Sequence, residues 1–384
     1  MPFVLSEEQK MIQAMARDFA REVVMPGAAE RDRTGRFPRE ILDQMGELGF
    51  MGMMVPEKYG GAGVDTVSYV LALTEIAYAC ASTAVVMSVH NSICCESLVN
   101  FGSEQHKQTW LPRMCSGRCI GAFALTEPHA GSDPASQRMT AVRDGDHWVL
   151  NGTKQFITTG KNAGLIIATA VTDKSKRHRG ISAFLVPQGT EGLIVGKEEE
   201  KLGLKASDTV QLVFEDCRVP ADNLLGKPGE GFKIAMTALD CGRIGIAAQS
   251  VGVAQACLDE AVAYMHQRQA FGRPIADFQA LRWKVADMAV EIEASRLLCL
   301  NAASLKDQGK RYTREASMAK LFASEMVNRV AAQAIQIHGG YGYCRDYPME
   351  RHYRDARVFT IYEGTSEIQR LVISNNILGP PTTK

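Results

Sequence analysis

At 384 residues, with 43 basic and 43 acidic side chains, the chain is long enough for two or three domains and carries no formal net charge. That balance excludes the long-range attraction of a nucleic-acid or anionic-membrane binder and leaves room only for a local basic patch against a phosphate-bearing ligand. A chain of this length typically buries roughly three-quarters of its unfolded surface, so neither disulfides nor a metal are needed to hold it.

The amino terminus, Met1-Pro2-Phe3-Val4-Leu5-Ser6-Glu7-Glu8, shows no basic run followed by an apolar stretch, which predicts no secretory signal. No window approaches the roughly 20 apolar residues of a membrane helix, so no membrane insertion is expected. Residues 1–120 have helical periodicity. Ser6 with Gln9 forms a capping-box pattern, and Pro38 suits the first turn of a helix. Ile41, Leu42, Met45 and Leu48 then share a face until Gly49 ends the segment. Tyr59-Gly60-Gly61-Ala62-Gly63 reads as a loop, after which Leu71, Thr74, Glu75 and Tyr78 resume helical spacing.

The ten cysteines are scattered, with no CxxC pair and no Cys/His set at zinc-ligand spacing. They read as reduced thiols used as small apolar residues, with no metal, in a reducing compartment. That compartment is the cytoplasm for a bacterial-type chain and the mitochondrial matrix for a mature eukaryotic one.

Between residues 121 and 228 the period shortens. Trp148–Leu150, Leu165–Ala168, Ile181–Val186 and Val210–Phe214 read as strands. Asp144-Gly145-Asp146, Asn151-Gly152 and Gly189 are the expected turns between them. No helical crossover joins these runs, so an antiparallel sheet or small barrel is predicted. Residues 229–384 return to long helices, over 232–267, 277–307 and 314–337, which argues for a bundle. The expected fold class is therefore α+β and multidomain: an N-terminal all-α domain, a middle antiparallel β-barrel and a C-terminal four-helix bundle.

No GxGxxG opens a helix after a strand, and GxxxxGK[ST], GxSxG and HExxH are absent. Four other segments hold the candidate chemistry. Leu125–Asp133 is a loop leaving a strand, rich in hydroxyls and free N–H groups that suit a phosphate or a flavin edge; it also fits a plain turn. Tyr362-Glu363-Gly364 precedes a new helix near Thr365, which fits either a buried acid or a surface cap. His338-Gly339-Gly340-Tyr341-Gly342 ends a long helix and permits close backbone approach, or simply stops the helix. Arg268-Gln269-Ala270-Phe271-Gly272-Arg273 offers two guanidinium groups for a diphosphate, or forms a solvated loop.

Taken together and in order, these segments resemble the acyl-CoA dehydrogenase family over nearly the whole chain. The likeness runs through Ala122–Asp133, Asn151–Thr159, Phe214–Pro220, Gly229–Ile234, Arg268–Gly272, Gln336–Gly342 and Arg354–Arg370. Ile-Tyr-Glu-Gly-Thr-Ser-Glu-Ile-Gln-Arg is highly specific to the family, and the wording is closest to its short-chain (butyryl-CoA) members. The resemblance implies oxidation of acyl-CoA to trans-2-enoyl-CoA, with hydride passing to N5 of FAD and electrons then to electron-transfer flavoprotein.

It also implies roles for individual residues. Glu363 is the base for the α-proton, its weak intrinsic basicity raised by burial. Its backbone N–H, with a ribityl hydroxyl, is the donor to the thioester carbonyl. Some relatives carry the base on the helix containing Asp240-Cys241-Gly242-Arg243; Gly242 occupies that position here, so the role stays with Glu363. For FAD the resemblance marks Phe123, Leu125, Thr126, Ser132, Phe156, Thr158, Thr365 and Glu367. Arg268, Phe271, Gln336 and Gly340 are expected from a neighbouring subunit, which makes a homotetramer the expected assembly. On the acyl-CoA side stand Ser132, Ser182, Asp240, Arg243, Tyr362 and Gly364. Phe156 stands where many relatives carry Trp, and His129 where Gly is common; His129 is expected to be exposed and non-catalytic. Phe359 is expected to shorten the acyl tunnel if it points inward, so Phe359→Ala would raise activity on longer chains. Competing readings are a branched short-chain (isobutyryl- or 2-methylbutyryl-CoA) dehydrogenase, an acyl-CoA oxidase and a non-catalytic flavin- or acyl-CoA-binding protein.

Overall fold

The computed structural model describes residues 4–380; Met1–Phe3, part of the amino-terminal reading, lie outside them. Helix α1 (Glu7–Phe19) starts at the expected capping box: Gln9 N donates to Ser6 Oγ at 3.1 Å and Ser6 N to Gln9 Oε1 at 3.0 Å. After α2 (Ala28–Thr34), α3 (Arg39–Glu47) begins directly behind Pro38, which sits at the cap, one position before the first turn. Gly49, with φ +79°, turns the chain out of α3. Helix α4 (Thr66–Ala79), capped by Asp65, is apolar on almost every side and is buried accordingly. Helix α5 (Ala81–Ser88) continues through a π-helical stretch, Val89–Cys95, into α6 (Glu96–Phe101), and α7 (Glu104–Cys115) leads to the sheet.

The strands are β1 (Gly121–Ala124), β2 (Thr140–Asp144), β3 (His147–Thr158), β4 (Leu165–Val171), β5 (Ile181–Pro187), β6 (Leu193–Glu198), β7 (Thr209–Pro220) and β8 (Leu224–Leu225). They run in the order β6-β7-β3-β2-β4-β5-β8. Two features correct the sequence reading. Most neighbours are antiparallel, but β1 pairs with β4 in parallel and β2 touches β4 the same way. The β2–β3 hairpin intervenes before β4, so the chain re-enters beside β1 in its original direction. Asn151-Gly152, expected as a turn, lies inside β3, where the register with β7 shifts by one residue. Gly152 adopts φ +147°, and a Cβ there would stand 2.8 Å from Met139, so the dipeptide makes a bulge instead of a reversal.

The carboxy-terminal half is built on α8 (Gly231–Gln267), a 37-residue helix buried along most of its length against α4 and against α9 (Gln279–Asp307) and α10 (Thr313–His338). A short hairpin, β9 (Gln269–Ala270) and β10 (Arg273–Pro274), joins α8 to α9. Helices α11 (Met349–Ala356) and α12 (Ser366–Leu378) close the bundle against α10. All ten cysteines are free; nine are buried, as expected of apolar fillers, while Cys344 is exposed. Among the described residues no helix is long and apolar enough to cross a membrane, and no group of three or more His, Cys, Asp or Glu is placed to hold a metal.

Candidate active site

Between α11 and α12 the chain makes a sharp reversal. Glu363 is held at φ +52° and Gly364 at φ +95°. A non-glycine residue in that region costs on the order of 1 kcal/mol or more and persists only when its surroundings hold it. Three hydrogen bonds do so here. Lys320 Nζ, on α10, donates to the Gly364 carbonyl at 2.8 Å, while Gln369 Nε2, on α12, donates to the same carbonyl at 2.9 Å and to that of Glu363 at 3.2 Å. Thr365 caps α12 by accepting from Ile368 N.

This reversal presses the Glu363 side chain onto α8 at Gly242. A Cβ on Gly242 would lie 2.2 Å from Glu363 Oε2, so the glycine is the notch that receives the carboxylate. Both carboxylate oxygens are shut off from solvent and neither has a hydrogen-bond partner. Burial pushes the carboxyl up to about 7, against the pull of the Lys320 and Arg243 cations. The alternative of a surface cap does not describe this acid.

Further along the same face of α8 a methyl group on Gly245 would meet Ser88 Oγ at 2.3 Å and Tyr69 Oη at 3.0 Å, so little space remains behind the carboxylate. Tyr362 donates through its hydroxyl to Gln249 Oε1 at 2.7 Å, and its ring lies parallel to Phe359 at 5.8 Å. Phe359 itself is wholly buried in the core, so any shortening of the acyl end would act through this stack and not from an exposed tunnel wall. Arg243 pairs with Asp240 at 2.7 Å and Asp240 also accepts from Thr313 Oγ1 at 2.6 Å. Their charges are thus already matched to one another.

A second group of candidate residues lies on the sheet. The loop after β1 is fixed from below by Lys154, fully buried on β3. Its ammonium donates to Leu125 O (3.0 Å), Glu127 Oε1 (2.9 Å), Gln137 Oε1 (3.2 Å) and Thr169 Oγ1 (3.3 Å). Glu127 also accepts from the backbone N–H groups of Arg138 and Met139, and Gln155 N donates to the Thr126 carbonyl at 2.8 Å. Phe123, Leu125, Thr126 and Thr158 are half-buried, Ser132 is exposed beyond them, and His129 is exposed as expected. Phe156 takes φ +58° and keeps 61% of its surface open. Ser182 differs from these: it is fully buried, its hydroxyl accepting from Gly229 N and bonded to Thr172 Oγ1.

Arg268, Phe271, Gln336 and Gly340 form a separate, exposed group at the far ends of α8 and α10, where Arg268 lies over Tyr341. From Gly242 to Arg268, α8 rises about 39 Å at 1.5 Å per residue. Within one chain this group therefore lies well away from Gly242 and Glu363. Thr365 and Glu367 instead open onto a cleft of about 510 Å³ between α10, α11 and α12, lined also by Arg329, Tyr353 and Arg357. Phe271 is 96% exposed, in a molecule that buries Phe184, Phe214 and Phe359 completely. The exposed Phe156 ring would take one face of a flat aromatic group, and the separate Arg268–Phe271 group suits a phosphate-bearing tail.

Sequence reasoning missed Lys320, Gln369, Gln249 and the Lys154–Glu127 pair. A signal existed for Lys320, because it stands on the face of α10 that also carries Ala316, Ala319 and Ala323.

The chain matches three family models: acyl-CoA dehydrogenase, N-terminal domain, over residues 6–118; middle domain, over 122–217; and C-terminal domain, over 229–378. It is 53% identical over 374 residues to the mitochondrial short-chain specific acyl-CoA dehydrogenase of Mus musculus, covering 97% of this chain and 91% of that protein. Among solved structures, butyryl-CoA dehydrogenase from Megasphaera elsdenii superposes with a TM-score of 0.97 at 44% identity, covering 98% of this chain and 100% of that one. A chain in a structure of the electron transferring flavoprotein of Acidaminococcus fermentans, described in terms of flavin-based electron bifurcation, matches with a TM-score of 0.97 at 48% identity, covering 98% and 100%.

Proposed function

The chain belongs to the acyl-CoA dehydrogenase family of FAD-dependent oxidoreductases, and from that premise we propose that it converts short-chain acyl-CoA to trans-2-enoyl-CoA with Glu363 as the base. The observation that carries this reading is the Glu363 carboxylate: buried, unpartnered, seated in the Gly242 notch and pushed up to about 7.

An α-hydrogen beside a thioester carbonyl is weakly acidic. Removing it needs a strong enough base near neutral pH and hydrogen bonds to the carbonyl oxygen as it gains charge. Desolvation supplies the first, because a carboxylate raised from its usual range near 4 gains basicity while still ionising around neutrality. The Glu363 backbone N–H is the expected donor for the second, held in place by the Lys320 and Gln369 clamps on the adjoining carbonyls. Bound FAD supplies the acceptor for the β-hydride. Phe156, Thr126 and Thr158 would hold its ring, Thr365 and Glu367 its tail, and Arg268, Phe271, Gln336 and Gly340 the tail bound by a neighbouring copy.

That sharing motivates a homotetramer. An exposed stripe of Trp283, Val290 and Leu297, seven residues apart on α9, supports an oligomeric surface. The tight space at Gly245 supports a short acyl group. The likeness to the Acidaminococcus chain supports an electron-transfer flavoprotein as acceptor.

The test is anaerobic titration of the purified flavoprotein with butyryl-CoA, following the visible absorbance of the flavin. Wild type should bleach promptly. Glu363→Gln should retain FAD and acyl-CoA yet reduce at least about 10³-fold more slowly, within the range a positioned base supplies. Undiminished reduction in that variant refutes the base, and bleaching by isobutyryl-CoA alone transfers the substrate to the branched class.

A further inference from the structure

We propose that Lys320 is a positioning residue for the Glu363 base: its buried ammonium holds the strained Glu363–Gly364 peptide and supplies the unmatched positive charge that lets the carboxylate ionise away from water. The inference deepens the reading of Glu363 above and rests on it.

Lys320 has no surface exposure. An ammonium has three donors, and one of them reaches the Gly364 carbonyl at 2.8 Å. Among the described residues no carboxylate lies within ion-pair distance of it, unlike Arg243, which Asp240 engages at 2.7 Å. Glu363 is the complementary case, an acid with two buried oxygens and no donor on either. A buried charge without a partner is expensive, so each of these groups relieves the other across a single peptide. The Gly364 carbonyl oxygen that accepts from Lys320 belongs to the residue next to the base, which couples the charge to the backbone angle that aims the carboxylate.

The surroundings contain few competing charges. Facing Glu363 are Arg243 and Cys241 from α8, Tyr69 from α4, Tyr362 beside it, and Lys320 from α10; Asp240 engages Arg243 instead. Lys320 also senses Glu325 and Glu367, both toward the solvent side, and Arg243. Burial pulls Lys320 down to about 8 while Glu363 rises to about 7, so near neutral pH both charged forms are within reach, each favoured by the other.

The experiment compares Lys320→Met, Lys320→Gln and Gln369→Leu as purified flavoproteins. The Glu363 carboxyl is titrated by infrared difference spectroscopy, with Glu363→Gln identifying its band. Both Lys320 variants should raise the midpoint by about one unit or more, since an attractive cation has been removed. Gln369→Leu loosens the same carbonyls without changing charge and should leave the midpoint in place while slowing flavin reduction. A shift from about 7 to about 8 lowers the ionised fraction at pH 7 from roughly a half to a tenth. Reduction by butyryl-CoA in the Lys320 variants should then fall about fivefold at pH 7 and recover toward pH 9. A rate lost equally at every pH, with an unmoved infrared midpoint, would overturn the proposal. If Lys320→Met loses its cooperative thermal transition, Lys320→Gln, which keeps an amide donor, is the variant to read. If wild type is not reduced by any acyl-CoA while the infrared midpoint still shifts, the coupling stands and the dehydrogenase reading of the site fails instead.

Discussion

Lys154 and Lys320 are both fully buried, and desolvation pulls both ammonium groups down to about 8. Their company differs. Lys154 touches four acceptors, including Glu127 at 2.9 Å, and Glu127 is in turn held by two backbone N–H groups. Lys320 reaches one carbonyl and faces a carboxylate that accepts no hydrogen bond. The first arrangement spends its charges on rigidity beneath the loop expected to meet the flavin. The second leaves hydrogen-bonding capacity open, which stability does not require and proton transfer does. On the reading proposed for Glu363, the same residue type at the same depth is structural in one place and chemical in the other, according to how completely its partners satisfy it.

The largest expected effect tests the structural member. Lys154→Met strands Glu127 in the interior and should cost about 3–5 kcal/mol, read as a fall in thermal midpoint. Lys154→Met with Glu127→Gln should recover part of that loss, because the remaining side chain is neutral. A single-variant cost below about 1 kcal/mol would erase the distinction between the two lysines. Lys320→Met should be milder in stability and distinct in its pH profile, so the pair of measurements separates the roles directly.

Neither lysine stands out along the chain, although much of the fold around them does, and the illegible part has a consistent cause. The capping box at Ser6, the long helices α8, α9 and α10, and the Glu363-Gly364 break are written in neighbouring residues, and the structure has them where those residues predict. The notch at Gly242 was half visible: the glycine excluded a base there, but only the fold shows it receiving the carboxylate. Asn151-Gly152 misleads because a dipeptide that favours turns also serves a bulge, and the choice depends on Met139, the residue just ahead of β2. The parallel β1–β4 pairing, the Tyr362–Gln249 bond across 113 residues and the Lys320–Gly364 bond across 44 depend on distant partners, which no local pattern encodes.

A smaller effect sharpens the chemical side. Gly242→Ala places a methyl 2.2 Å from Glu363 Oε2 and must displace it. A displacement near 1 Å at a reacting group typically costs about 10²-fold in rate. Flavin reduction should fall by that order while FAD content and thermal midpoint change little. Normal reduction would show that the carboxylate does not react from this notch.

Asp355 is the intermediate case and carries the smallest expected change. It is buried like Glu363 but accepts one hydrogen bond, from Leu204 N at 2.6 Å, and burial raises its carboxyl to about 6. Because the folded value lies above the roughly 3.9 of an unfolded chain, folding favours the protonated form. Its contribution to stability is therefore complete below about pH 4 and is lost as pH rises through about 6. Asp355→Asn keeps an oxygen for Leu204 and removes the ionisation, so it should gain on the order of 1 kcal/mol at pH 8 and flatten the thermal midpoint between pH 4 and 6. Asp355→Leu removes the acceptor too, and should lie about 1–3 kcal/mol below Asp355→Asn at every pH because the Leu204 N–H is left unpaired. If both variants behave alike, the single hydrogen bond is not what distinguishes Asp355 from Glu363, and partner count is not the variable that separates structural from chemical charges in this molecule.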